Sequence, residues 1–160
     1  LRSIFNQLGF KNVVTYIQSG NVVFKSSNTN ATTIAQEISK NITAIFGFEV
    51  VVLVKTYTQF KSIFTQNPFS NDADIQNKRI YFALLKEHPK EELKIKFRQE
   101  IFEREQFVIT NDCVYLNYGL GAAKAKISNN LIERKLEVSA TSRNHRTMVK
   151  LLKMCEELNL

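Results

Sequence analysis

The sequence predicts an α+β protein made of two tandem ferredoxin-like (split βαβ) lobes. Three observations carry that expectation. Short β-branched or alternating apolar runs recur in both halves of the chain. Segments with helix-spaced apolar residues separate them. The order in the first half, α-β-β-α-β, is nearly repeated in the second as β-α-β-β-α with an extra helix.

Leu1, Ile4, Phe5 and Leu8 keep helical spacing, and Gly9 closes that helix. Val13 to Gln18 and Asn21 to Lys25 then read as strands. Ser19-Gly20 between them suits a hairpin, because glycine tolerates a positive φ. Thr32 or Thr33 is expected to cap a helix carrying Ile34, Ile38, Ile42 and Ile45, ending at Gly47. Glu49 to Val54 is rich in β-branched residues and reads as a buried strand. A short helix over Thr56 to Gln66 stops at Asn67-Pro68.

The second half opens with a polar loop, Ser70 to Lys78, before an apolar strand over Arg79 to Lys86. Pro89 introduces a helix carrying Leu93, Phe97 and Ile101. Gln106 to Thr110 and Cys113 to Tyr118 form a hairpin around Asn111-Asp112. Two helices follow, over roughly 127–136 and 143–158. One strand ahead of Leu1 would complete βαββαβ in the first half, so the first strand of the N-terminal lobe is expected to be missing from this chain. The expected division is 1–69 for the N-terminal lobe with its connecting helix. Residues 70–160 form the C-terminal lobe with an extra C-terminal helix.

Composition narrows the class. The chain has 160 residues, 44% hydrophobic and 23% charged, which excludes a disordered chain, a collagen-like repeat and a coiled coil. No apolar run approaches the ~20 residues of a transmembrane helix, so no membrane partner is expected. Cys113 and Cys155 lie in apolar patterns and point to a reducing, cytoplasmic compartment rather than a disulfide framework.

The net charge is +7, and residues 119–155 hold most of it. Eight cations lie there: Lys124, Lys126, Arg134, Lys135, Arg143, Arg146, Lys150 and Lys153. Only Glu133 and Glu137 oppose them. Such concentration suggests a positive surface for an anionic partner. The competing reading is a pair of solvated, lysine-rich helices.

Three stretches resemble one bacterial family, the domain-of-unknown-function family sixteen-ninety-seven. They are Thr15-Tyr16-Ile17-Gln18-Ser19-Gly20-Asn21-Val22-Val23-Phe24, then Asn67-Pro68-Phe69. The third runs from Lys126-Ile127-Ser128-Asn129-Asn130-Leu131-Ile132-Glu133 through Ala140-Thr141-Ser142-Arg143-Asn144 to Thr147. The resemblance implies a two-lobed α+β fold and no established activity. The chain departs from the family in three ways. It lacks the opening strand with its arginine and glycine-rich loop. His145 stands where tryptophan is usual, and Ala125 where serine is usual.

The leading site is the expected start of the last helix. Thr141 and Ser142 would cap backbone N–H groups, and Arg143 and Asn144 follow at once. A cation at the positive end of a helix dipole is unfavourable by about 0.3–1 kcal/mol, and a bound anion reverses that sign. Arg143, Thr141, Ser142 and Asn144 therefore make a candidate phosphate or carboxylate site, with Lys124 and Lys126 adding positive field. The alternative is that Arg143 turns back to Glu133 or Glu137.

Gly119 to Lys126 follows a strand and precedes a helix, but lacks the spacing of a nucleotide phosphate loop. A stripe of Arg146, Lys150 and Lys153 offers a second partner class, nucleic acid bound without sequence preference. A third reading is an enzyme whose catalytic residues lie in the missing N-terminal segment. Within the chain, His88 and His145 have no second His or Cys at metal spacing, and no nucleophile elbow appears. No metal, cofactor or catalytic residue is therefore assigned, and the sequence leans away from an enzyme.

Overall fold

Elements form where the local pattern demands them. A computed structural model describes residues 1–17 and 20–160, so Gln18 and Ser19 of the expected hairpin tip lie outside the described residues. The chain is α+β, with two antiparallel sheets and seven α-helices among the described residues. It divides into two compact units, Leu1–Phe60 with Lys150–Leu160, and Lys61–Val149. The expected division at 69/70 kept the final helix whole in the second lobe. Here its last turns belong to the first unit.

In the first unit, α1 (Arg2–Gln7) leads into the hairpin of β1 (Lys11–Tyr16) and β2 (Asn21–Lys25). The two strands are antiparallel, with Val14 opposite Val23 and Tyr16 opposite Asn21. Helix α2 (Ala31–Phe46) follows. Its cap is Asn30, whose side chain accepts the Thr33 N–H at 3.0 Å, rather than Thr32 or Thr33 as expected. Ile34, Ile38 and Ile42 of α2 meet Ile4, Phe5, Phe10 and Val13 in one core. Phe24 packs there too, with its ring 4.5 Å from Phe10 and 5.2 Å from Phe5. A second cluster joins Val23 to Leu151, Met154 and Cys155.

Glu49 to Val54 departs from expectation. The run is extended in pattern but pairs with no strand among the described residues. A strand is defined by its ladder, and a β-branched run supplies only the side chains.

The second unit is built on β3 (Ile80–Leu85), α5 (Glu91–Arg98), β4 (Glu105–Ile109), β5 (Cys113–Tyr118), α6 (Asn129–Leu136) and β6 (Ala140–Asn144). The sheet order is β4-β5-β3-β6, antiparallel throughout. Central strand β3 is a continuous apolar run because both its faces are covered. Ala83, Leu85, Val114 and Leu116 pack on Phe97 of α5 and on Ile132 and Leu136 of α6. On the other face, Phe82 meets Tyr115, Phe64 and His145. Phe64 lies at the end of α3 (Tyr57–Thr65), and His145 begins α7 (His145–Glu157).

Three further expectations are corrected. The polar loop contains a one-turn helix, α4 (Asp72–Gln76), capped by Asn71. Helix α5 ends at Arg98, and Ile101 is 94% exposed rather than in its apolar face. Residues 140–144 form edge strand β6 and not the start of the last helix. Thr141 and Ser142 can satisfy a ladder to β3, and that ladder wins over their capping propensity.

Candidate functional site on strand β6

The change from helix start to strand reorganises the candidate site. Side chains alternate across a strand, so Thr141 and Arg143 share one face while Ser142 and Asn144 share the other. Arg143 lies opposite Phe82, and Thr141 opposite Leu84. Its guanidinium donates to the Thr141 hydroxyl at 2.7 Å and to the Ser142 carbonyl at 2.9 Å. Arg143 is half-buried, and burial pushes its pKa below the ordinary guanidinium value.

Ser142 and Asn144 are committed elsewhere. The Ser142 hydroxyl donates to the Asn129 side-chain oxygen at 2.9 Å, and the Asn129 amide donates to the Ala140 carbonyl at 3.1 Å. Asn129 thereby fastens the first turn of α6 to β6. Asn144 accepts the Thr147 N–H at 2.8 Å and so caps α7, the role the sequence had given to Thr141 and Ser142. Glu133 accepts the Ala140 N–H at 2.8 Å. Of the four clustered residues, Thr141 and Arg143 are thus brought together, and Ser142 and Asn144 hold the backbone that carries them.

Lys124 and Lys126 are exposed on the segment after β5, Lys124 closing a short 3-10 turn over Ala122–Lys124. That segment offers two adjacent N–H groups, from Lys126 and Ile127. The Glu105 carboxylate accepts both, at 2.7 and 2.9 Å. The resemblance to a phosphate loop therefore ends with the protein's own carboxylate on the amides. The Tyr118 hydroxyl donates to the Ile127 carbonyl at 2.7 Å, and burial raises its pKa. Gly119 donates to the Arg104 carbonyl at 2.8 Å, and a Cβ there would collide with that oxygen.

On α7, Arg146, Lys150 and Lys153 stand at i, i+4 and i+7, so they share one side, with Arg146 and Lys153 exposed. Arg143 lies outside this helix and does not extend the row. Among the described residues, no group of three or more His, Cys, Asp or Glu is arranged to hold a metal ion. No helix there is long and apolar enough to cross a membrane.

Two features escaped the sequence reading. His145 packs 5.3 Å from the Phe64 ring, and burial lowers its pKa. Asp74 links Arg79 at 3.1 Å to the Asn117 amide at 3.0 Å, fastening α4 to β5. The Phe64–His145 and Asp74–Asn117 contacts join residues far apart in sequence, which no local spacing announces.

A family model described as a protein of unknown function, DUF1697, matches residues 1–115. The chain belongs to that family. The match includes the hairpin stretch around Gly20 and the Asn67-Pro68-Phe69 triplet, and ends before the stretch at 126–147. The fold is also similar to the solved structure of the conserved bacterial protein SP0830 from Streptococcus pneumoniae. The TM-score is 0.73 at 18% identity, covering 97% of this chain and 86% of that one. At that identity the likeness concerns the fold alone. None of the curated proteins matches this DUF1697 member.

Proposed function

We propose that the second unit is a binding module for a small anionic ligand, phosphate- or carboxylate-bearing, with Arg143 as its anchor. The observation that carries this reading is the half-buried guanidinium held on a strand by Thr141 and by the Ser142 carbonyl. Burial disfavours its charge. An incoming anion offsets that cost, and a guanidinium whose fork is already oriented loses little freedom on pairing. Thr141 adds a hydroxyl beside the anion. Ser142 and Asn144 act as positioning residues through Asn129 and Thr147. Lys124 and Lys126 add a diffuse positive field that salt screens over about 10 Å at 0.1 M.

The module has a defined architecture in this reading. The order β-α-β-β-α-β with β3 between β5 and β6 supports a split βαβ lobe for the second unit. The first unit is the same arrangement with fewer paired strands.

Titration with inorganic phosphate and with citrate, followed by amide chemical shifts, tests the reading. Shifts should centre on residues 141–145, and Arg143→Ala should weaken binding tenfold or more. Arg143→Lys should recover only part, because a lysine lacks the two-pronged geometry. Equal affinity of the wild type and Arg143→Ala refutes it.

A further inference from the structure

The neighbours of Arg143 on its sheet face select among anions. Arg143 stands opposite Phe82 across the β3–β6 ladder, so the two side chains share one face. The His145 ring lies against the same face, 6.4 Å from the Phe82 ring and 5.3 Å from the Phe64 ring of α3. Two residues of chain span at most about 7 Å, so Arg143 and His145 are within reach of one small molecule. All four residues belong to the second unit.

His145 brings a group that the Arg143 anchor does not use. Among the described residues its contacts are with these two rings, and neither imidazole nitrogen makes a hydrogen bond or an ion pair. Neither nitrogen is sealed in the interior: among the described residues, the buried side-chain polar atom without a partner is Asn117 Oδ1. Burial lowers the pKa of the ring, so it is neutral at pH 8. A neutral imidazole has one N–H donor and one bare nitrogen that accepts. The bound anion can take the donor, but the bare nitrogen needs an O–H or N–H from the ligand. The charged neighbours on its own segment are Arg143 and Arg146, while α3 and β3 meet it with uncharged Phe64 and Phe82. An ammonium is repelled by those arginines, which leaves a hydroxyl.

We propose that the ligand of the second unit is a small hydroxycarboxylate, an inference that rests on Arg143 as the anion anchor. The carboxylate pairs with the guanidinium, and a hydroxyl beside it donates to the bare nitrogen of His145. One half-buried guanidinium balances one negative charge, which favours a carboxylate over a doubly charged phosphate. The carbon body lies on the half-buried Phe64 ring.

Lactate, propionate and alanine test this at pH 8 and constant ionic strength. They share a three-carbon carboxylate and carry a hydroxyl, a hydrogen or an ammonium at the second carbon. Titrations of the 160-residue protein are followed by the amide shifts of residues 141–145 and by the imidazole nitrogen shifts of His145. Lactate should bind about fivefold more tightly than propionate, the worth of one added hydrogen bond, and alanine more weakly than either. Lactate should shift the bare nitrogen of His145, and propionate should not. His145→Phe keeps an aromatic ring against Phe64 and Phe82. It should bring lactate down to the level of propionate and leave propionate unchanged. Equal affinity of lactate and propionate, both weakened by Arg143→Ala, overturns the hydroxyl assignment and leaves the anchor standing. A lactate preference that survives His145→Phe, or lactate binding that leaves the bare nitrogen unmoved, overturns the assignment too. Phosphate binding with no binding of either carboxylate does the same. Lactate and propionate binding that Arg143→Ala does not weaken overturns anchor and inference together.

Discussion

Removing one buried hydroxyl should take away part of the protein's loss of stability at alkaline pH, and that change reports on the buried phenol. Tyr115 is 1% exposed and its hydroxyl donates to the Ile63 carbonyl at 2.9 Å. Burial raises its pKa well above that of a free phenol. Tyr115→Phe keeps the ring against Phe82 and leaves the Ile63 carbonyl without its donor. At pH 8 the cost should be about 1–3 kcal/mol, the usual consequence of an unsatisfied buried acceptor. Raising the pH changes the comparison. The unfolded phenol ionises near pH 10 and the folded one does not, so the wild type loses about 1.4 kcal/mol of stability from this group by pH 11. The phenylalanine variant has nothing to ionise at this position. The difference between the two proteins should therefore shrink by about 1.4 kcal/mol between pH 8 and pH 11. Urea unfolding of both proteins at half-unit pH steps measures it. A difference that stays constant to pH 11 would refute the buried, neutral phenol.

Other outcomes follow from the same geometry. Glu105→Gln replaces the carboxylate on the Lys126 and Ile127 N–H groups with a neutral amide. It should destabilise by about 1 kcal/mol and speed amide exchange at both residues. Gly119→Ala forces a Cβ into the Arg104 carbonyl. It should cost about 1–3 kcal/mol, as overpacking generally does, and thermal unfolding reads it. His145 is held neutral by burial, so its folded pKa lies below the unfolded one. Its contribution is present above about pH 6.5 and is lost as the pH falls, and His145→Phe should flatten the acid limb of the stability curve. Asn129→Ala frees the Ser142 hydroxyl and the Ala140 carbonyl together. Strand β6 should then exchange its amides faster than β5.

Much of this fold can be read locally. The isoleucine spacing of α2, the apolar run of β3 and the Asn111-Asp112 turn are each set by neighbours within a few residues. Two of the departures are informative because they are opposite. Val50 to Val54 has strand-forming side chains but no ladder. Residues 140–144 have cap-forming side chains and a complete ladder to β3. For residues 140–144 the deciding partner, β3, lies tens of residues away, beyond any window of periodicity. The candidate site inherits the second departure. Arg143 and Thr141 were singled out for their chemistry, but their shared face exists only because they sit two apart on a strand. Asn129, which fixes that strand, belongs to a helix that gave no functional signal.

Helix α7 begins in the second unit and ends in the first. Its last turns supply Leu151, Met154 and Cys155, the residues that cover Val23 of β2. This reverses the usual order in which a chain matures on the ribosome. Residues 61–149 are all translated before residue 150, so the later unit can close first. The earlier unit must wait, with Val23 uncovered, until residues 151–155 have been made.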